Sequence, residues 1–200
     1  MKNSLPFLLA ADLLIPFLLA PTYKGYSHLT KVMSVLGNSK APLHFVYNIW
    51  LVVFGIYFLF SAVRLYPVVA KTSSVIAVLL FLVIAVYAIG GCIVSGLFSV
   101  EETKSLETPS AKIHGFGSVI GFLLLALAPL LVGIYFFKRA NGTLGAFSLL
   151  CFVLTIGFFT LFVMADKPKF QGTLIALEGL WQRLSLLSMY LPIMALCYWK

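Results

Sequence analysis

Polar and apolar positions in this chain are segregated in blocks the length of whole helices, not residue by residue. Six long apolar stretches run over approximately Leu5–Ala20, Leu43–Val63, Ser74–Phe98, Phe116–Phe137, Leu144–Ala165 and Ile175–Trp199. Most are close to the roughly 20 residues a helix needs to cross a bilayer core. The pattern predicts an all-α integral membrane protein, a six-transmembrane-helix bundle forming a single membrane domain over residues 1–200. The connection from Pro21 to Pro42 has a finer period. Leu29, Val32, Met33 and Leu36 follow the i, i+3, i+4, i+7 spacing of one helix face. Ser27 can cap a helix there and Gly37 can end it, so the spacing predicts a short interfacial helix over Ser27–Leu36 that lids the bundle.

Composition narrows the class. The chain is 62% hydrophobic and 10% charged, against about 25% charge in soluble domains, and 200 residues spent mostly on spans leave no room for a sizeable soluble domain. The net charge of +8 comes from basic residues dispersed over short loops. That dispersal points to membrane lipids as partners and excludes nucleic acid. Cys92, Cys151 and Cys197 fall in three different stretches without a CxxC pair, so neither a disulfide framework nor a metal site is expected. No cofactor is expected either. Lys2 before an apolar run has the look of a signal peptide. However, Leu18 and Pro21 around Ala20 break the small-x-small cleavage pattern, and the first stretch is read as a retained helix.

An even number of spans puts both termini on one side, with Lys2, Arg64, Lys71, Lys138, Arg139 and Lys200 and no acidic residue. The other side has more Lys and Arg in raw number, together with Glu101, Glu102, Glu107, Asp166 and Glu178, but spreads them over longer connections. Short basic loops beside helix ends weigh most in setting orientation. The expected location is therefore the cell (plasma or inner) membrane, multi-pass, with both termini cytoplasmic. Gly55-Ile56-Tyr57-Phe58 recurs as Gly133-Ile134-Tyr135-Phe136, in keeping with spans two and four running in the same direction.

Most of the unusual chemistry sits on the opposite face. His28, His44 and His114 lie in or beside the odd-numbered connections, as do Ser34, Asn38, Asn48, Glu178, Gln182 and Arg183. His44, Asn48 and Gly55 share a stripe, as do His114, Ser118 and Gly121, and Glu178, Gln182 and Ser185. Small residues such as Gly117 and Gly121 allow close helix packing. Ionisable side chains near the membrane are costlier, and by default they mark function. Glu178 with Arg183 is read as a structural ion pair or headgroup contact in preference to an acid–base pair. Asp12 stands apart, mid-way along the first stretch. A charge there costs about 2.5–3.5 kcal/mol on insertion scales, so it must pair, protonate or face the interior. Asn141-Gly142-Thr143 reads as a turn in an inner loop.

Several short motifs occur together: Ser27-His28, Ser34-Val35-Leu36-Gly37, Asn48, Gly96-Leu97-Phe98, His114 and Gly179-Leu180-Trp181-Gln182-Arg183. In these the chain resembles the domain-of-unknown-function 998 family of bacterial and archaeal membrane proteins. The resemblance implies a six-helix domain with the motif residues gathered at one face, and it implies no activity. Gln182 departs from the acidic residue expected before the arginine, although Glu178 lies one turn away. Membrane hydrolases that gather serine, histidine and carboxylate are a more distant analogy, but their His-xxx-His pair is missing here, as are a G-x-S-x-G elbow and a Walker loop.

Three readings follow. The first is an outward-facing polar pocket that binds or translocates a lipid headgroup, small amphiphile or ion, lined by His28, Ser34, Asn38, Asn48, His114, Glu178, Gln182 and Arg183. The second is a membrane hydrolase acting on a lipid or envelope substrate, with His114 as base, Ser34 as nucleophile and Arg183 as anion clamp. The third is a structural or regulatory accessory subunit, in which the polar residues satisfy one another.

Overall fold

Residues 4–98 and 107–198 are described by the computed structural model; Lys2, Glu101, Glu102, Lys104 and Lys200 lie outside them. Among the described residues, six helices are long and apolar enough to cross a membrane. They are Ser4–Thr22, His44–Ala70, Ser74–Leu97, Pro109–Lys138, Gly142–Ala165 and Glu178–Tyr198. No strand occurs among the described residues.

Two boundaries move by about two turns: the second span runs on to Ala70 instead of Val63, and the fourth begins at Pro109 instead of Phe116. The Thr108 side chain accepts the Ala111 amide and Pro109 occupies the first turn, a cap that carries the helix through its polar opening residues. The same span breaks further along. Pro129 has no amide to donate, and its ring clashes with the preceding turn. One helix therefore ends at Leu125 and the next starts at Ala128. The first half packs on the third span, and the second half packs on the fifth and sixth.

Close glycine contacts hold the third and fourth spans together, as expected for Gly117 and Gly121. A Cβ on Gly90 would lie 2.6 Å from the Gly117 carbonyl oxygen, and one on Gly121 would lie 3.0 Å from the Gly91 amide nitrogen. Residues Tyr87–Val94 adopt a π-helix, a widened turn that frequently marks functional positions. At the centre of the bundle Phe54, Phe58, Tyr87 and Tyr190 form an aromatic cluster with ring centroids 5.5 Å apart for Phe54–Phe58 and 6.5 Å apart for Tyr87–Tyr190. The outward faces carry exposed Phe7, Val75 and Val153, which suit contact with lipid.

The expected helix over Ser27–Leu36 does not form. Only the Lys31 amide bonds back four residues, to Ser27, before Val32 turns extended and a 3-10 helix runs over Met33–Gly37. The reason is competition from the sixth span. Leu180 donates its amide to the Leu29 carbonyl at 3.0 Å, and Arg183 Nη1 donates to the carbonyls of His28 and Lys31 at 2.9 and 3.2 Å. The Met33 amide, which a helix would direct to Leu29, donates to Gln182 Oε1 at 2.7 Å. Leu29, expected on the buried face, is half exposed, whereas Val32, Met33 and Leu36 are buried.

Candidate functional site

The eight residues expected to share one site divide into two groups. His28, Asn48 and Arg183 tie the 23–43 connection to the bundle, and Asn38 bonds within that connection. Arg183 is 8% exposed. Besides the two loop carbonyls it donates to Gly179 O at 2.7 Å, to Tyr26 Oη at 2.7 Å and to His28 Nδ1 at 3.2 Å. Its guanidinium lies 5.8 Å from the centroid of the Phe17 ring, while its Nε–H is buried without a partner. The expected ion pair with Glu178 is not made, because the terminal nitrogens are taken by neutral acceptors. Gly179 permits this docking: a Cβ there would run into the carbonyl oxygens of Lys31 and His28.

Burial, reinforced by the nearby guanidinium, pushes the His28 imidazole below its ordinary value of 6.5. Its Nδ1 accepts from Arg183, so the neutral ring carries its proton on Nε2, and the ring stacks on Phe17 at 4.1 Å. Burial likewise raises the Tyr26 phenol, against the opposing pull of Arg183. Tyr26 stays protonated and donates to the Val32 carbonyl at 3.2 Å. Asn48 Nδ2 donates to the Gly37 carbonyl at 3.0 Å, and Asn38 Oδ1 accepts the Lys40 amide at 2.8 Å. His44, at the start of the second span, closes a local bond between Nδ1 and the Ala41 carbonyl at 2.7 Å.

The second group, Ser34, His114, Glu178 and Gln182, lines a cavity of about 470 Å³. His114 Nδ1 faces the carbonyl oxygens of Phe98 at 2.8 Å and Ser95 at 3.2 Å. Two acceptors at one nitrogen require its proton there, which leaves Nε2 of a neutral ring as a lone pair. His114 is buried, and among the described residues nothing else bonds its ring; no hydrogen bond joins it to Ser34. A nucleophile–base pair is thus not assembled. Ser95 Oγ donates to the Gly90 carbonyl at 3.0 Å and lies 2.8 Å from Ser118 Oγ, so Ser118 is the donor of that second bond.

Sequence reasoning left the deeper part of the cavity out of its site. Asp12 lines it, 2% exposed, which meets the expectation that this residue faces the interior. Trp50 Nε1 donates to its Oδ1 at 3.0 Å and Tyr190 Oη to its Oδ2 at 2.9 Å; Tyr87 Oη supports Tyr190 at 3.0 Å. Tyr47 also lines the cavity at 2% exposure, and its hydroxyl has no hydrogen-bond partner among the described residues. The remaining wall is apolar: Phe122, Leu123, Phe159, Phe162 and Val163. Asp12 had an advance signal in its mid-span charge. Tyr47 and the phenylalanines had none, because an aromatic residue in a span reads first as packing.

The first half of the fourth span packs on the third, and the second half packs on the fifth and sixth. Phe122 reaches across to Phe159 and Phe162, with centroids 6.2 and 6.1 Å apart. Val119, Leu123 and Val163 line the cavity while remaining exposed on the flank of the bundle. The cavity therefore combines polar lining groups beside the loop with an apolar side door within the span.

Among the described residues no group of three or more His, Cys, Asp or Glu could hold a metal ion. Residues 9–199 match the family described as "Protein of unknown function (DUF998)", and the chain belongs to that family. No curated protein and no solved structure matches it.

Proposed function

We propose that this DUF998 member binds a membrane amphiphile in the cavity, polar end beneath the 23–43 connection and apolar tail through the side door. The observation that carries this reading is the two-part lining. Ser34, His114, Glu178 and Gln182 line the cavity together with Phe122, Leu123, Phe159, Phe162 and Val163, of which Leu123 and Val163 are also exposed on the flank of the bundle. Pockets for small ligands combine a mostly apolar wall with a few convergent polar groups, and at about 470 Å³ this one has the volume for them. The reading also places the protein in the cell membrane with cytoplasmic termini, so that the cavity faces outward.

Native mass spectrometry with lipid analysis of the purified protein tests the reading. A retained amphiphile is expected in the wild type and its loss in Leu123→Trp, which fills the side door from a lipid-exposed position. Equal occupancy in both proteins, or none in the wild type, would reject it.

A further inference from the structure

The cavity has a one-sided charge. The chain carries 14 Lys and Arg against 6 Asp and Glu, yet two of those acidic residues, Asp12 and Glu178, line the cavity, and among the described residues no Lys or Arg does. The basic residue nearest in the motif pattern, Arg183, is turned into the loop. Among the described lining residues an anionic headgroup would meet the Asp12 carboxylate and no Lys or Arg.

Two further groups open onto the cavity without a partner among the described residues. Both Asp12 oxygens already accept bonds from Trp50 and Tyr190, an arrangement that orients the carboxylate while leaving each oxygen further lone pairs. His114 offers the lone pair of Nε2 and Tyr47 a hydroxyl that can donate or accept, each on a side chain at most 5% exposed. Buried polar side chains are nearly always partnered in a folded protein, so two side chains this buried that open unpartnered onto one cavity with a carboxylate point to a ligand there. A ligand that supplies donors suits the carboxylate and the histidine nitrogen.

We infer that the ligand is a cationic amphiphile, an ammonium group on an apolar chain, with Asp12 as its counter-ion at the floor of the cavity. This rests on the amphiphile reading above and adds the sign of the headgroup. An alkylammonium brings three donors and a positive charge to a site rich in acceptors. Its desolvation is offset by the preoriented carboxylate, and its tail lies against Phe122 and Phe162. Intramembrane carboxylates that face a cavity mark substrate or ion pathways, proton relays or ligand counter-ions, and the apolar wall here suits the last. An aminolipid and a free lipophilic amine present the same group, and both would seat there.

The test is calorimetric titration of the full chain in nonionic micelles, corrected for partition into empty micelles, with decylammonium, decyl sulfate and 1-decanol. Wild type is expected to bind decylammonium tightest and decyl sulfate weakest. Asp12→Asn should weaken decylammonium binding by about thirtyfold, as for removal of one partner of a buried charge pair, while 1-decanol binding is unchanged. Asp12→Glu should restore the preference for the cation. Decyl sulfate binding as tightly as decylammonium in wild type would overturn the inference without any variant, should Asp12→Asn fail to fold. So would an Asp12→Asn affinity within about twofold of wild type; in either case binding of 1-decanol would leave the amphiphile reading intact. Binding of none of the three would reject that reading and this inference together. An aminolipid co-purifying with wild type but not with Asp12→Asn would identify the source as lipid, and decylammonium binding without one would identify it as free amine.

Discussion

The Met33 amide donates to Gln182 Oε1 at 2.7 Å, joining the first connection to the sixth span across most of the chain. That bond replaces the one a helix would have made to Leu29, whose carbonyl is taken by Leu180. The glutamine and its neighbours Gly179, Leu180 and Arg183 thus form a docking strip for the loop. Conformation here is decided by which acceptor each amide finds, and the sixth span supplies both ends of the alternative.

Gln182 should tolerate replacement by Glu, which keeps an oxygen to accept the Met33 amide. Gln182→Leu should not be tolerated in the same way. A buried amide without its acceptor costs about 1–3 kcal/mol. The check is amide hydrogen exchange at Met33 and its neighbours, expected to be protected in Gln182→Glu and fast in Gln182→Leu.

The His28 contact should make loop docking depend on pH. Because the imidazole's docked value lies below 6.5, the undocked loop binds protons more readily. The contribution of this contact is full above 6.5 and falls as pH drops below it, levelling off beneath the depressed docked value. Exchange protection of residues 28–33 measured across pH 5 to 8 should show this loss in wild type. In His28→Phe, which keeps the stack on Phe17 but cannot titrate, the step should be absent.

Gly121→Leu should destabilise the bundle in detergent by about 1–3 kcal/mol, the usual cost of overpacking. The Leu side chain would be driven into the backbone of Gly91 and Tyr87. Gly157→Leu is the control, since nothing lies within 4 Å of a Cβ there. Thermal melts of the two variants should separate clearly. Equal melts would mean that the contact between the third and fourth spans carries little stability.

The proposed orientation predicts that cysteines introduced at Ser73 and Asn141 resist a membrane-impermeant thiol reagent in intact cells. One introduced at exposed Lys169 should label. The reverse pattern would turn the cavity toward the cytoplasm.

Much of this architecture could be read from local pattern. Six apolar runs of membrane length specify six helices because a bilayer core leaves a backbone no partner but itself. Gly117 and Gly121 marked a close helix contact for a similarly local reason, since only small residues let backbones approach. Asp12 declared itself by position, as a charge that had to pair, protonate or face the interior. What the sequence could not decide was where competing hydrogen-bond partners would settle. The Ser27–Leu36 pattern satisfies a helix on its own terms, yet Arg183, Leu180 and Gln182 take its carbonyls and one of its amides from more than a hundred residues away. The motif residues accordingly divide between tether and cavity, a division invisible in their spacing. The cavity itself is wholly tertiary: its lining comes from the first connection and from all six spans, and only their packing brings those residues together.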